Sequence, residues 1–170
     1  MSWLSGTGLG YPYWLGNNPQ PQPYGSFSST EDQTVTGANT TTVLTYNTTE
    51  AASQTYYSGG RIYVQATGIY RVLYTIQCDT SSGGSQSVRI WLRKNGAVIP
   101  NTTSFFTIAN TGENIAACES YVSLLFGDYI EVAFQSSDAN MTAEAIPAGG
   151  IPPNNYPLAP SIITNINKIA

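Results

Sequence analysis

Carboxylates and thiols are the groups here that could do chemistry near neutral pH, because the sequence contains no histidine. Without histidine there is no Ser-His-Asp or Cys-His nucleophile pair, no imidazole acid or base, and little from which to build a zinc site. A glycosidase-type mechanism needs two acids about 5–10 Å apart in a groove. Glu119 and Glu131 meet that need if their strands pair, but surface positions on strands explain them equally well, and no further motif supports catalysis. Asp79, in a Cys78-Asp79-Thr80-Ser81-Ser82 loop, and Asp128 and Asp138, at strand ends, are candidate ion ligands. Calcium takes about six to eight oxygens, and no D-x-D-x-D spacing is present. Solvated turn carboxylates are therefore expected, with Asp128 capping its own turn. The expectation is a protein that is not an enzyme and uses no metal and no cofactor.

Cys78 and Cys118 are too few for a disulfide framework, and two reduced, half-buried thiols are expected. Four N-x-T sequons, at Asn39, Asn47, Asn101 and Asn140, are what chance provides in a chain with 20 threonines. Charged residues make up only 9% of the 170 residues, well below the share of about 25% in an ordinary soluble domain. Ser, Thr, Asn and Gln fill the gap with 58 residues, and abundant Thr and Tyr favour strands over helices. The net charge of −4 comes with no basic block, so nucleic-acid binding is not expected. No apolar run approaches the roughly 20 residues needed to span a bilayer, and no membrane partner is expected. The start, Met1 to Gly6, lacks a basic segment followed by an apolar one, so synthesis in a cytoplasm is expected.

These residues must be positioned by strands. Nine of the ten prolines lie at Pro12–Pro23 or Pro147–Pro160, which leaves 31–146 as a sheet-rich body. Val88, Ile90 and Leu92 alternate with Arg89, Trp91 and Arg93. Tyr70, Val72, Tyr74 and Ile76 share one side of a longer strand, with Ile69 and Leu73 opposite. Ile130, Val132 and Phe134 share another. Shorter strands are predicted at 41–46, 61–65, 97–99, 114–124, 141–145 and 162–168. Asn95-Gly96 is the strongest hairpin signal, since both residues tolerate positive φ. Eight or nine short strands with turns every eight to twelve residues indicate an all-β antiparallel β-sandwich.

Gly68-Ile69-Tyr70-Arg71-Val72, Trp91-Leu92-Arg93-Lys94-Asn95-Gly96 and Gly127-Asp128-Tyr129-Ile130-Glu131-Val132 occur in this order. The set resembles the C1q/TNF-like jelly roll, where a G-x-Y-x-V/F strand, a K-N-G hairpin and a G-D-x-V/I strand opening recur. The resemblance covers roughly residues 31–169. It is nearest to variants in virion proteins of phages and large viruses, where Asp32-Gln33-Thr34 and Thr41 to Tyr46 have counterparts. Two features depart from the family: Ile162-Ile163-Thr164-Asn165-Ile166 replaces its closing aromatic-Gly strand, and no collagen repeat is present. The resemblance implies a ten-strand-type sandwich assembled as a homotrimer. Tyr63, Tyr70, Tyr74, Tyr121 and Tyr129 are candidate trimer-interface residues, with core filling as the other use of the same rings.

Residues 1–30 form a separate unit in this reading, an extended arm rich in aromatic residues, proline and glycine. It holds two of the three tryptophans and no charged residue. Trp3, Leu4, Tyr11, Tyr13, Trp14 and Tyr24 are the candidate partner-binding residues, because such rings anchor interfaces; wrapping the arm on its own domain is the alternative. The second unit, 31–170, carries a proline-rich loop at 145–160, longer than most loops. Together these readings predict a structural virion protein. It would be a homotrimeric decoration or cement protein of a bacteriophage capsid, assembled in the host cytoplasm and bound through the arm to the major capsid protein or another virion protein. The alternative is the receptor- or glycan-binding head of a tail fibre or spike, with Phe105, Phe106 and 147–160 on its distal loops.

Overall fold

Strict alternation gives the longest strand its place. Along Gly68–Thr80, Tyr70, Val72, Tyr74, Ile76, Cys78 and Thr80 are buried while the residues between them are exposed or half-buried. A strand with that pattern covers a core with one face only. The computed structural model describes residues 21–109, 112–150 and 155–170. Among them are fourteen strands and no helix. In chain order these are β1 (Tyr24–Ser29), β2 (Gln33–Thr34), β3 (Thr42–Val43), β4 (Thr48–Ser53), β5 (Thr55–Ser58), β6 (Arg61–Val64) and β7 (Gly68–Thr80). There follow β8 (Ser85–Lys94), β9 (Ala97–Val98), β10 (Ser104–Ala109), β11 (Glu113–Leu124), β12 (Tyr129–Ser136), β13 (Met141–Ala143) and β14 (Ile162–Lys168).

The strands form two antiparallel sheets. The first runs β2-β13-β7-β14-β1-β4, with β11 on the other edge of β7; the second runs β10-β8-β12-β6-β5, with β3 beside β12 and β9 beside β8. Phe27, Tyr70, Val72, Tyr74, Ile76, Ile162 and Ile166 from the first sheet meet Ile62, Val88, Ile90, Leu92, Ile130 and Phe134 from the second in one core. Phe27, Tyr46 and Tyr57 meet edge to face, with ring centroids 6.1–6.3 Å apart. The fold is the all-β sandwich that the alternation and the C1q/TNF resemblance predict.

The β8–β9 turn joins a second turn across the sheet. Asn95 (φ 50°) and Gly96 (φ 80°) adopt the left-handed conformations that a tight hairpin requires. Asn95 Nδ2 donates to Asp128 Oδ1 at 2.7 Å, and the Leu125 N–H donates to Asp128 Oδ2 at 2.8 Å. Asp128 thus closes its own turn, as expected, and also holds the neighbouring hairpin.

Three expectations need correction. The unit boundary after residue 30 cuts past β1, whose Tyr24–Ser29 pair with both β14 and β4 in the interior of the first sheet. Its sequence, YGSFSS, has too few apolar residues for alternation to reveal it. Asp79 is not in a loop, because β7 continues through Thr80 and pairs Asp79 with Glu113. Phe105 and Phe106 are not on a loop either; they lie in β10, paired with β8.

Candidate functional site

The first sheet has an outer face that no element among the described residues covers. The inward residues of β7, with Ala116, Val122 and Leu124 of β11, are buried in the core, so the alternates of these strands point away from it. The register puts Ile115 opposite Gln77, Ala117 opposite Thr75, Glu119 opposite Leu73 and Tyr121 opposite Arg71, and it extends to Ile163 on β14 opposite Thr75. Leu73, Ile115, Ala117, Tyr121 and Ile163 make an apolar field, in which Ile115 is 66% and Tyr121 62% exposed. The charges at its centre neutralise each other: Arg71 Nη2 lies 2.6 Å from Glu119 Oε2, while Asp79 and Glu113 stand opposite each other at its far end. The Arg71 donor, helped by Tyr121, holds the Glu119 carboxyl below the usual range. An uncovered, low-charge sheet face is a surface suited to another protein surface.

The outer face of the second sheet has a different character. Tyr56 and Tyr63 stack with centroids 5.0 Å apart, Tyr129 follows Tyr63 at 5.3 Å, and the Arg61 guanidinium lies 4.7 Å above the Tyr129 ring. Arg89 similarly sits 5.2 Å from the Phe105 centroid. Beneath them Glu131 is buried between Arg61 Nε (3.2 Å) and Arg93 Nη1 (3.3 Å). Glu131 Oε2 is close enough to Arg93 for an ion pair but makes no hydrogen bond of good geometry.

A third feature lies where β7, β11 and the chain after β13 meet. An open cleft of about 540 Å³ is lined by Gln77, Cys78, Glu113, Asn114, Ile115, Glu144 and Ile146. Carboxylate oxygens of Asp79, Glu113 and Glu144 lie within 4.8 Å of one another there. Burial first, and then the charges of Asp79, Glu113 and Asp32, push the Glu144 carboxyl above its ordinary range. These are the described side chains that could share a cation, and three carboxylates fall short of the roughly six to eight oxygens calcium takes.

The sequence-predicted residues distribute as follows. Tyr70 and Tyr74 are 0% and 1% exposed within the single chain, so core filling is their use and the trimer-interface assignment is corrected for both. Tyr121 lies on the uncovered first-sheet face, whereas Tyr63 and Tyr129 lie on the second. Tyr24 opens β1 and is 44% exposed. Trp3, Leu4, Tyr11, Tyr13 and Trp14 lie outside the described residues. Glu119 and Glu131 fall on different sheets, each engaged by arginine, so they do not form an acid pair. Cys78 and Cys118 are both free thiols. Cys118 stands opposite Tyr74, four positions from Cys78 along β7, or roughly 13 Å, beyond disulfide reach. Burial pushes the Cys78 thiol up to about 12.

Leu73, Ile115 and Ile163 were not picked out as site residues. Leu73 had a signal, as an apolar residue on the polar phase of an alternating strand. Asp138 accepts from Ser82 Oγ at 2.9 Å and from the Asn140 N–H, which makes it a turn-forming carboxylate. Between β13 and β14, Ile146 bridges Ala159 and Gly149 bridges Tyr156, both antiparallel.

No protein-family model matches the sequence, and no curated protein matches it. Solved structures do match in fold. The globular domain of zebrafish complement 1qA protein is similar at 12% identity with a TM-score of 0.54, covering 88% of this chain and 98% of its own. Murine APRIL is similar at 12% identity with a TM-score of 0.55, covering 87% and 99%. A second murine APRIL structure, at pH 8.0, gives 13% identity and a TM-score of 0.53. At these identities the likeness is one of fold, the C1q/TNF-like jelly roll.

Proposed function

We propose that this chain is a structural virion protein, a homotrimer that decorates a capsid and attaches to it through the residues before β1. The uncovered first-sheet face carries the trimer part of this reading. Leu73, Ile115, Ala117, Tyr121 and Ile163 are exposed or half-buried around one self-neutralised ion pair, and a threefold neighbour would remove them from water. The C1q/TNF-like fold supports the same assembly by resemblance. Attachment is mechanical: three N-terminal segments on one trimer engage adjacent shell subunits, and effective concentration multiplies modest contacts. Bridging neighbours raises the work of separating them. The partner is the major capsid protein or another virion protein, and the place is the capsid surface after assembly in the host cytoplasm. The role is not enzymatic, a reading supported by the absence of histidine and the separation of Glu119 from Glu131.

The test is truncation, and β1 fixes where to cut. Removing 1–30 would delete a strand paired on both sides, so the cut belongs before Pro21. A chain starting at Pro21 should keep the native mass of a trimer and lose binding to shells; a truncated protein that still decorates shells would sink the proposal. One observation favours the second reading, a glycan- or receptor-binding head: the Tyr56-Tyr63-Tyr129 ladder with Arg61 is a surface on which sugar rings could stack. Binding of the intact protein to host cells, lost in Tyr56→Ala and Tyr63→Ala, would favour it over decoration.

A further inference from the structure

An apolar patch lies at one end of the sandwich, where the outer face of the first sheet runs out past Arg71 and Tyr121. Ile69 near the start of β7, Leu125 and Phe126 in the β11–β12 turn, and Ile169 just after β14 are 43%, 58%, 72% and 51% exposed. Hydrogen bonds bring them together at that end. The Ile169 N–H donates to the Ile69 carbonyl and the Ile69 N–H to the Ala170 carbonyl, both at 2.8 Å. Leu124 stands opposite Gly68, and the Phe126 N–H donates to Thr67 Oγ1 at 3.0 Å. Lys168 and the Ala170 carbonyl lie so close over Gly68 that a Cβ there would clash with both.

The N-terminal segment joins the body at this same end. Gln54 Nε2 donates to the Pro21 carbonyl at 3.1 Å, and the Lys168 N–H donates to the Pro23 carbonyl at 2.8 Å. Residue 23 therefore lies beside Lys168, which precedes Ile169, and Pro21 follows two residues further out. The twenty residues before it contain no charge, and among them are Trp3, Leu4, Leu9, Tyr11, Tyr13 and Trp14. Extended, such a length reaches up to about 60 Å, far more than the width of one sheet end. Uncharged aromatic chain is thus tethered next to uncharged exposed aliphatic and aromatic side chains, at the high effective concentration that a short tether gives.

We propose that residues 1–20 cover this end of their own chain, laying tryptophan and tyrosine rings on Ile69, Leu125, Phe126 and Ile169. The patch is a docking site for the segment while no other partner holds it. Its consequence for attachment rests on the function proposed above: binding a shell exchanges the body's own patch for the shell's surface.

Tryptophan fluorescence of the full chain tests this. Trp91→Phe leaves Trp3 and Trp14 as the only tryptophans, and the Trp91 indole N–H has no hydrogen-bond partner to lose among the described residues. In the folded W91F protein, acrylamide quenching should be several-fold weaker than in the urea-unfolded chain, with blue-shifted emission. Adding Leu125→Ser and Phe126→Ser should return quenching to the unfolded value at unchanged native mass and circular dichroism. Quenching as strong in the folded as in the unfolded chain overturns the proposal, as does protection that survives the two serines. Protection lost on dilution would assign the segment to another copy and also overturns it. Should W91F not fold, deuterium uptake replaces it. Amides at 67–70 and 124–127 should exchange several-fold more slowly in the natural chain than in full-length W3S/W14S, and equal uptake overturns the proposal. Neither readout involves shell binding, so this proposal and the attachment function fail separately.

Discussion

Asp128, Tyr74, Tyr46 and Glu144 show how single groups set the energetics of this sandwich. Burial alone would raise the Asp128 carboxyl, but donors from Asn95, the Leu125 N–H and Lys94 outweigh it and hold the group at about 2. A depressed carboxyl contributes stability above its unfolded value of about 3.9 and loses it as pH falls through the folded one. Asp128→Asn should therefore cost roughly 1–2 kcal/mol at neutral pH, with the gap from the natural protein closing between about pH 4 and pH 2. Urea melts across that range measure it, and a pH-independent gap would reject the assignment. Glu144 has the opposite sign. Its raised carboxyl favours folding at low pH and loses that contribution as pH rises through the folded value, so Glu144→Gln should raise Tm at pH 7 and change little in acid. The two core tyrosines form a contrast. The Tyr46 hydroxyl is buried and bonded to Thr164 Oγ1 at 2.8 Å, whereas the Tyr74 hydroxyl is buried facing Cys118 and Ser104 and makes no hydrogen bond of good geometry. Tyr46→Phe should cost about 1 kcal/mol, while Tyr74→Phe should be neutral or stabilising in the same denaturation assay.

At the scale of elements, legibility followed the contrast between the two faces of a strand. β7, β8 and β12 were readable from alternation, and β14 as a shorter apolar strand near the end of the sequence. β4, with the sequence TTEAAS, lies at the sheet edge with both faces largely in water, and nothing in its pattern distinguishes it from a loop. β1 is the opposite case: it is interior, yet Gly25 and serines fill positions where larger residues would not fit. A Cβ at Gly25 would meet the Phe27 ring and Thr55 Oγ1, so small residues there record close packing and resemble a linker in the sequence alone. Two truncations separate strand from segment. A chain starting at Pro21 should melt within a few degrees of the full protein. One starting at Glu31 should fail to fold, because β14 and β4 lose their shared partner and Phe27 leaves the core. Circular dichroism and thermal melts distinguish these outcomes, and a folded chain from Glu31 would reject the interior role of β1.

For the whole molecule, the open question is what covers the first-sheet face. The proposed trimer predicts a native mass near three times 18.2 kDa by light scattering. Placing a charge in the middle of the apolar field, as in Leu73→Glu or Tyr121→Glu, should release monomers that keep the strand signature, since neither side chain belongs to the core. A trimer that tolerates both substitutions would assign the interface elsewhere. The charge pattern bears on the same question. With only 9% charged residues, the face around Arg71 and Glu119 has little to keep it in water beyond one ion pair.

Local pattern along the chain was enough for the fold class, the inward faces of the long strands and the positions of the tightest turns. These depend on neighbours along the chain: a period of two residues, or an Asn-Gly pair that accepts positive φ. Composition excluded histidine chemistry outright. Which tyrosines fill the core and which stand outside depends on how the sheets pack, since Tyr70 and Tyr121 look alike until a second sheet covers one of them. The same holds for carboxylates. Glu119 and Glu131 were candidates for one site and lie on separate sheets, whereas Asp79, Glu113 and Glu144 bring their carboxylates within 4.8 Å of one another. Register and sheet order bring such residues together from tens of positions apart, and no local pattern encodes that meeting.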